Sequence, residues 1–266
     1  MPGRDERAEE RIDMPPAGPW GAPTPEPTRP PPTRPRAAFG NLRRWLSTAF
    51  LCLIILGLGI RAYRDLSRPG AWAYWKELCF SPTMTSSLIP DVNVGGSGGG
   101  RPALAISGTI GAASASWFRD RLNEAHLSAG DTVVMSSPGG DVNQAMIMGE
   151  NIRARGLATA VGVVDAAGHI KPSHCASACV LVFASGSIRY GVEGSALGVH
   201  RFVTSTPGRD PVTETQRTMG TVLSYVTRMG VSPSIVEAMS ETKDVRWLGA
   251  QQAAAMNLIT NPVARP

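Results

Sequence analysis

Three short clusters of this 266-residue chain contain the residue types that acyl-transfer chemistry needs. They are Ser136-Ser137-Pro138-Gly139-Gly140-Asp141, His174-Cys175-Ala176-Ser177-Ala178-Cys179 and Gly198-Val199-His200-Arg201. That chemistry requires an activated nucleophile, a base within reach of it, and N–H donors aimed at a developing oxyanion. The paired glycines leave backbone N–H groups unobstructed by side chains. Ser177 precedes a small-residue apolar run that reads as a helix, whose positive end favours developing negative charge. His200 ends an apolar run that reads as a strand, and an imidazole with its ordinary pKa of about 6.5 can take a hydroxyl proton at neutral pH. Singly, each cluster has a plainer reading: a common turn, a helix N-cap, a structural histidine. Together, in this order and spacing, they make Ser177 the candidate nucleophile and His200 the candidate base.

The same region offers a cross-link. Cys175 and Cys179 flank Ser177, and on a regular helix a four-residue separation puts Cα atoms about 6 Å apart, inside the range a disulfide spans. In an oxidising compartment the pair would hold the nucleophile turn; as free thiols they would be small buried apolar groups. His169, His174, Cys175 and Cys179 do not follow a zinc spacing, so neither a metal nor another cofactor is expected.

These clusters need elements to position them. Ala103–Ser107, Thr132–Met135, Ala158–Val164, Ser187–Tyr190 and Ala196–His200 read as short apolar strands. Ser114–Ala129, Val142–Arg155, Ser177–Ala184, Pro211–Met229, Pro233–Met239 and Ala250–Met256 read as helices, several followed by glycine. Strands alternating with helices imply an α/β domain with a largely parallel sheet over residues 102–262.

With these motifs in order, the chain resembles the Clp-protease/crotonase superfamily, in particular the proteolytic subunit of Clp protease and its membrane-associated relatives. The resemblance runs over roughly Ala103–Thr260 and implies a repeated ββα spiral. It also implies oxyanion N–H groups at Gly140 and Ala178, a nucleophile in Ala176-Ser177, and a base at His200. An acid is expected before the Trp247-Leu248-Gly249-Ala250 stretch. Simple alignment puts Val245 there, so the adjacent Asp244 is the candidate for orienting His200, with Glu241 as the fallback. A related branch pairs serine with lysine several tens of residues later. Lys171 precedes Ser177, Lys243 lies far downstream and Arg228 stands nearer the expected place, so His200 is the better base. The family implies a peptide or protein substrate and assembly into homo-oligomers. A catalytically silent Clp-like binding or assembly module is the alternative.

Residues 1–42 form a Pro- and Arg-rich tail with few large apolar groups, a composition that does not order by itself. Residues 43–64 contain an uncharged stretch, Trp45–Ile60, about 24 Å long as a helix, with arginines at both ends to snorkel. It reads as a transmembrane signal anchor, a cleaved signal peptide being the other reading. Eight arginines precede it, four of them within Arg34–Arg44, against Arg61, Arg64 and Arg68 after it. That bias favours a cytoplasmic N-terminus in the inner membrane and a periplasmic or extracellular C-terminal domain. Trp72, Tyr74 and Trp75 follow closely and suit either the membrane interface or the domain core. Residues 65–101 read as a linker with a Gly-rich end. The net charge of +5 comes mostly from arginine near the apolar segment. With no basic stripe interleaved with aromatics, it argues for a membrane and against nucleic acid.

Overall fold

The computed structural model describes residues 38–68, 70–94, 100–202 and 210–263, with side chains from residue 44 onward. The expected tail lies almost wholly outside these residues. The first helix, α1 (Ala38–Leu66), contains one stretch, Arg44–Leu66, long and apolar enough to cross a membrane, with a mean hydropathy of 1.9 and none of it buried. By Cα packing the chain divides at Leu58/Gly59, and the folded domain belongs to the C-terminal unit.

That unit begins with α2 (Ala71–Cys79) and β1 (Met84–Val92). Residues 65–101, read as a linker, thus contain a helix and an edge strand, which the shortness of the nine-residue helix and the Thr- and Ser-rich composition of the strand had hidden. Pro90 falls where the β1–β2 register shifts, between Ile89 and Val92, a place where its missing N–H is tolerated. The chain continues through β2 (Arg101–Gly108), α3 (Ser114–Ala125), β3 (Thr132–Ser136), α4 (Val142–Ala154) and β4 (Ala158–Val161). The hairpin strands β5 (Val163–Val164) and β6 (Ile170–Lys171) lead into β7 (His174–Ala176) and α5 (Ala178–Ala184). Then come β8 (Arg189–Val192), β9 (Ala196–Val199), α6 (Pro211–Arg228), α7 (Ser234–Ser240), β10 (Arg246–Leu248), α8 (Ala250–Ala255) and β11 (Asn261–Val263).

The result is mixed α/β. A six-stranded sheet runs β1-β2-β3-β4-β8-β11, parallel throughout except for the antiparallel edge strand β1. A second sheet, β10-β9-β7, pairs β7 with β9 in parallel and β10 with β9 antiparallel. Ser137, just past β3, forms a bridge to Cys175 and so joins the ends of the two sheets.

Helix α5 sits at the centre, with all seven of its residues buried. No amphipathic period is therefore visible in its sequence. It packs against α4, and Tyr225 from α6 reaches it, donating its hydroxyl to the Leu181 carbonyl at 3.1 Å. Gly149 makes room, since a Cβ there would lie 1.8 Å from the Tyr225 hydroxyl. Burial, with the Glu150 carboxylate nearby, pushes the Tyr225 phenol well above its ordinary value, so it stays a neutral donor.

Most element boundaries shift by one or two residues from the sequence pattern, and two larger differences have a local cause. Helix α3 stops at Ala125 rather than Ala129, because His126 takes a left-handed conformation (φ 49°). The apolar run 158–164 splits at Gly162, against which Ile170 and the Lys171 carbonyl pack so closely that a Cβ would lie 2.4 Å from the Ile170 side chain.

Candidate active site

Ser177 sits between β7 and α5 with φ 56° and ψ −128°, a conformation few non-glycine residues adopt. Its hydroxyl makes no capping bond to α5. The helix therefore begins at Ala178, and the N-cap role that such a serine usually has is absent. What holds the backbone there is the surroundings. The Ser177 N–H donates to the Gly198 carbonyl at 2.8 Å, and one residue earlier Ala176 pairs with Gly198 across the parallel strands. Cys175, on β7, is joined by a disulfide to Cys179, the second residue of α5, with Cα atoms 5.3 Å apart. The bridge spans the strand-to-helix elbow rather than a regular helical turn. Both sulfurs belong to buried residues.

The Ser137–Asp141 turn packs directly onto this elbow. The Ser137 N–H donates to the His174 carbonyl at 3.1 Å, and the Ala176 N–H donates back to the Ser137 carbonyl at 3.0 Å. Gly139 and Gly140 both have positive φ, 101° and 141°. A Cβ on Gly139 would meet the Ala176 carbonyl and Ser177 Cβ, each at 2.6 Å, and the Ala178 nitrogen at 3.0 Å. On its other side the turn bridges Ile110, whose N–H donates to the Gly139 carbonyl and whose carbonyl accepts from the Asp141 N–H, both at 2.8 Å. As the middle residue of that parallel bridge, Gly140 turns its own N–H away from Ile110. Ala178 opens α5, so its N–H has no intrahelical acceptor. Among the hydrogen bonds of the described residues, neither of these two N–H groups is used.

His200 follows β9 directly, and β9 lies one strand spacing, about 4.8 Å, from β7. The topology thus puts the carboxyl ends of two adjacent parallel strands side by side, one carrying Ser177 and the other His200. The His200 ring, half-exposed, has Nδ1 2.9 Å from the Arg201 carbonyl. That contact suits the tautomer with a proton on Nδ1 and leaves Nε2 as the free lone pair. No hydrogen bond joins Ser177 Oγ to the ring among the described residues.

No hydrogen bond or ion pair joins Asp244 to this ring among the described residues. The β9–β10 register pairs Arg246 with Val199 and Trp247 with Gly198. There the ladder ends, and beyond it the Arg201 N–H donates to the Thr242 carbonyl at 2.9 Å. Asp244 stands exposed in a bend, where its N–H and carbonyl both bond the Thr242 hydroxyl. Glu241 is engaged by Arg246 in an ion pair. The lysine alternatives are elsewhere: Lys171 pairs with Asp165 at 3.3 Å, and Lys243 is exposed. Arg228 pairs with Glu150 at 2.7 Å.

Two features had no clear signal in the residue pattern. One is the Arg201 carbonyl, a backbone atom that any residue would supply. The other is the row Ala176–Gly198–Trp247 across the second sheet. A Cβ on Gly198 would lie 2.6 Å from the Val245 side chain and 2.8 Å from the Trp247 ring. Half-exposed Trp247 therefore lies over Gly198, and its ring meets exposed His174 edge-on, with centroids 6.2 Å apart.

No family model matches the chain, and no curated protein matches it. Among solved structures it is similar in fold to a mutant of ClpP1 from Listeria monocytogenes. There the identity is 15%, the match covers 61% of this chain and 91% of that one, and the TM-score is 0.48. It is also similar to a mutant of the membrane-bound stomatin-specific protease 1510-N, at 18% identity, with 62% and 78% of the two chains covered and a TM-score of 0.47.

Proposed function

We propose that the chain is a serine-type peptidase of Clp-like fold, working by an acyl-enzyme. The observation that carries this reading is Ser177 itself. A serine is held at positive φ without capping its helix, with an oxyanion turn packed on its Cβ and a histidine on the adjoining strand. Such strain costs of order 1–3 kcal/mol and persists where surrounding structure over-determines it, which is characteristic of functional elbows.

In the proposed mechanism Ser177 Oγ attacks the scissile carbonyl while His200 Nε2 takes the hydroxyl proton. The Gly140 and Ala178 N–H groups stabilise the oxyanion. The imidazolium then gives its proton to the leaving amine, and water, deprotonated by the same nitrogen, hydrolyses the ester and restores the serine. The Arg201 carbonyl orients the ring. Asp244 enters only if the 241–245 bend rearranges around His200.

In the same reading α1 anchors the protein in the inner (cytoplasmic) membrane, with the α/β domain on the periplasmic or extracellular side. The Cys175–Cys179 bridge supports such a location, because disulfides persist in oxidising compartments. Substrates are peptides or proteins, and the chain assembles into homo-oligomers.

The test is labelling of the membrane-reconstituted chain with a fluorophosphonate. The wild type should label, Ser177→Ala should not, and His200→Ala should label at least about a hundredfold more slowly, the usual scale of general-base catalysis. A folded, oxidised chain that never labels would instead be the silent binding module.

A further inference from the structure

Helix α2 has two apolar faces, and the domain covers one of them. Ala71, Tyr74 and Leu78 face inward, buried or half-buried. The Tyr74 hydroxyl bonds Ser116 Oγ at 3.1 Å. Glu77 fastens the helix to the start of α3: its carboxylate accepts from the Ala113 N–H at 3.1 Å and the Ser114 hydroxyl at 3.0 Å, and from Thr83 at 2.8 Å. Gly111 lies so close to that carboxylate that a Cβ would be 2.2 Å from it. The other arc, at the i, i+3, i+4 and i+7 positions of one helical face, is Trp72, Trp75, Lys76 and Cys79, with Phe80 at its end. Trp72 is 74% exposed, Trp75 41% and Phe80 78%.

We propose that this outward face of α2 binds the lipid surface and seats the α/β domain on the bilayer. The occupant is indicated by connectivity. Ala71 follows Leu66, the end of the spanning stretch, by five residues, at most about 18 Å of extended chain. A pair of tryptophans that close to a membrane helix falls in the headgroup zone, where amphipathic indoles concentrate. Lys76, on the same arc, supplies the cation that anionic headgroups favour. The inference rests on α1 spanning a membrane and is independent of the chemistry at Ser177. Its structural consequence reaches the candidate active site all the same. Through Glu77, α2 is rigidly attached to Gly111–Ser114, next to Ile110, which bridges Gly140.

The experiment uses the full chain carrying Trp45→Phe, to remove the indole at the mouth of the span, reconstituted in vesicles of phosphatidylcholine with a tenth phosphatidylglycerol. Replacing the phosphatidylcholine by its 6,7-dibromo form should quench roughly a third of the tryptophan emission. Adding Trp72→Phe and Trp75→Phe, both at exposed positions, should remove most of that quenching. Equal quenching in the two proteins overturns the proposal. So does its absence accompanied by Cys79-dependent cross-linking of two chains, which would give the face to a second copy. Carbonate extraction separates the premises: a chain released by carbonate refutes the spanning reading of α1, whereas a retained chain with unquenched Trp72 and Trp75 refutes only the seating of α2.

Discussion

Ser177 is expensive to keep where it is. At φ 56° a glycine would be more comfortable, so Ser177→Gly should raise unfolding stability by about 1 kcal/mol while abolishing fluorophosphonate labelling. Chemical denaturation and labelling on the same samples check this; a destabilised Ser177→Gly would contradict the strained-elbow account. Gly139→Ala should do the reverse of a neutral change. Its Cβ would meet Ser177 Cβ at 2.6 Å in a backbone conformation that already disfavours L side chains. Labelling should fall by a hundredfold or more. Asp244→Ala, by contrast, should change the labelling rate no more than about twofold, since Asp244 stands exposed and bonds through its backbone to Thr242. A loss comparable to that of His200→Ala would show that the bend closes on the ring. The two principal candidates, Ser177 and His200, could be picked out because serine in a small-residue cluster and histidine after an apolar strand are chemical types. The strain at Ser177 could not, because only glycine advertises positive φ. The acid had no such signal, since Asp244 lies in an exposed bend where its backbone bonds the Thr242 hydroxyl.

At the scale of elements, the nucleophile depends on three-residue β7 and seven-residue α5, both too short to hold a dihedral by themselves. The Cys175–Cys179 bridge contributes the constraint that length does not. Replacing both cysteines by alanine should lower unfolding stability by about 2 kcal/mol on loop-entropy grounds and slow labelling in parallel. Unchanged urea midpoints and rates would make the bridge incidental. Helix α6 is capped by Asp210, whose carboxylate accepts from the Val212 and Thr213 N–H groups at 3.2 Å. The bond from the Thr213 hydroxyl, more than these two, holds that carboxyl below its ordinary value. With the folded pKa lowered, this contribution is present above the unfolded carboxyl value and is lost as pH falls through the folded one. Asp210→Asn should therefore flatten the acid limb of a stability-versus-pH curve. The long alternating pattern of β2, α3, β3 and α4 could be read directly, since each has a buried face and a glycine or polar boundary. Strands β1, β7, β10 and β11 could not, because they are defined by their partners in the sheet rather than by a pattern of their own.

At the scale of the whole molecule, Arg189 ties the C-terminal segment to the central sheet. It is 3% exposed and donates to the carbonyls of Leu258, Gly186 and Asn257 at 2.7–3.0 Å. Burial, with the Arg153 cation adding to it, lowers its pKa to about 10. Arg189→Met would leave those carbonyls unpaired in the core and should cost about 2–4 kcal/mol of stability, read by thermal or urea unfolding. The domain beyond α1 was legible as α/β from strand–helix alternation, and α1 from its uncharged length; the route between them, through α2 and β1, was hidden by composition. The central claim is that this folded domain presents one activated serine. It is tested most directly by reacting the oxidised, reconstituted chain with a fluorophosphonate and mapping the adduct by peptide mass spectrometry. The account predicts a single adduct, on the peptide containing Ser177, lost on denaturation before reaction. An unmodified chain, or an adduct on another serine such as Ser137 or Ser173, would contradict it.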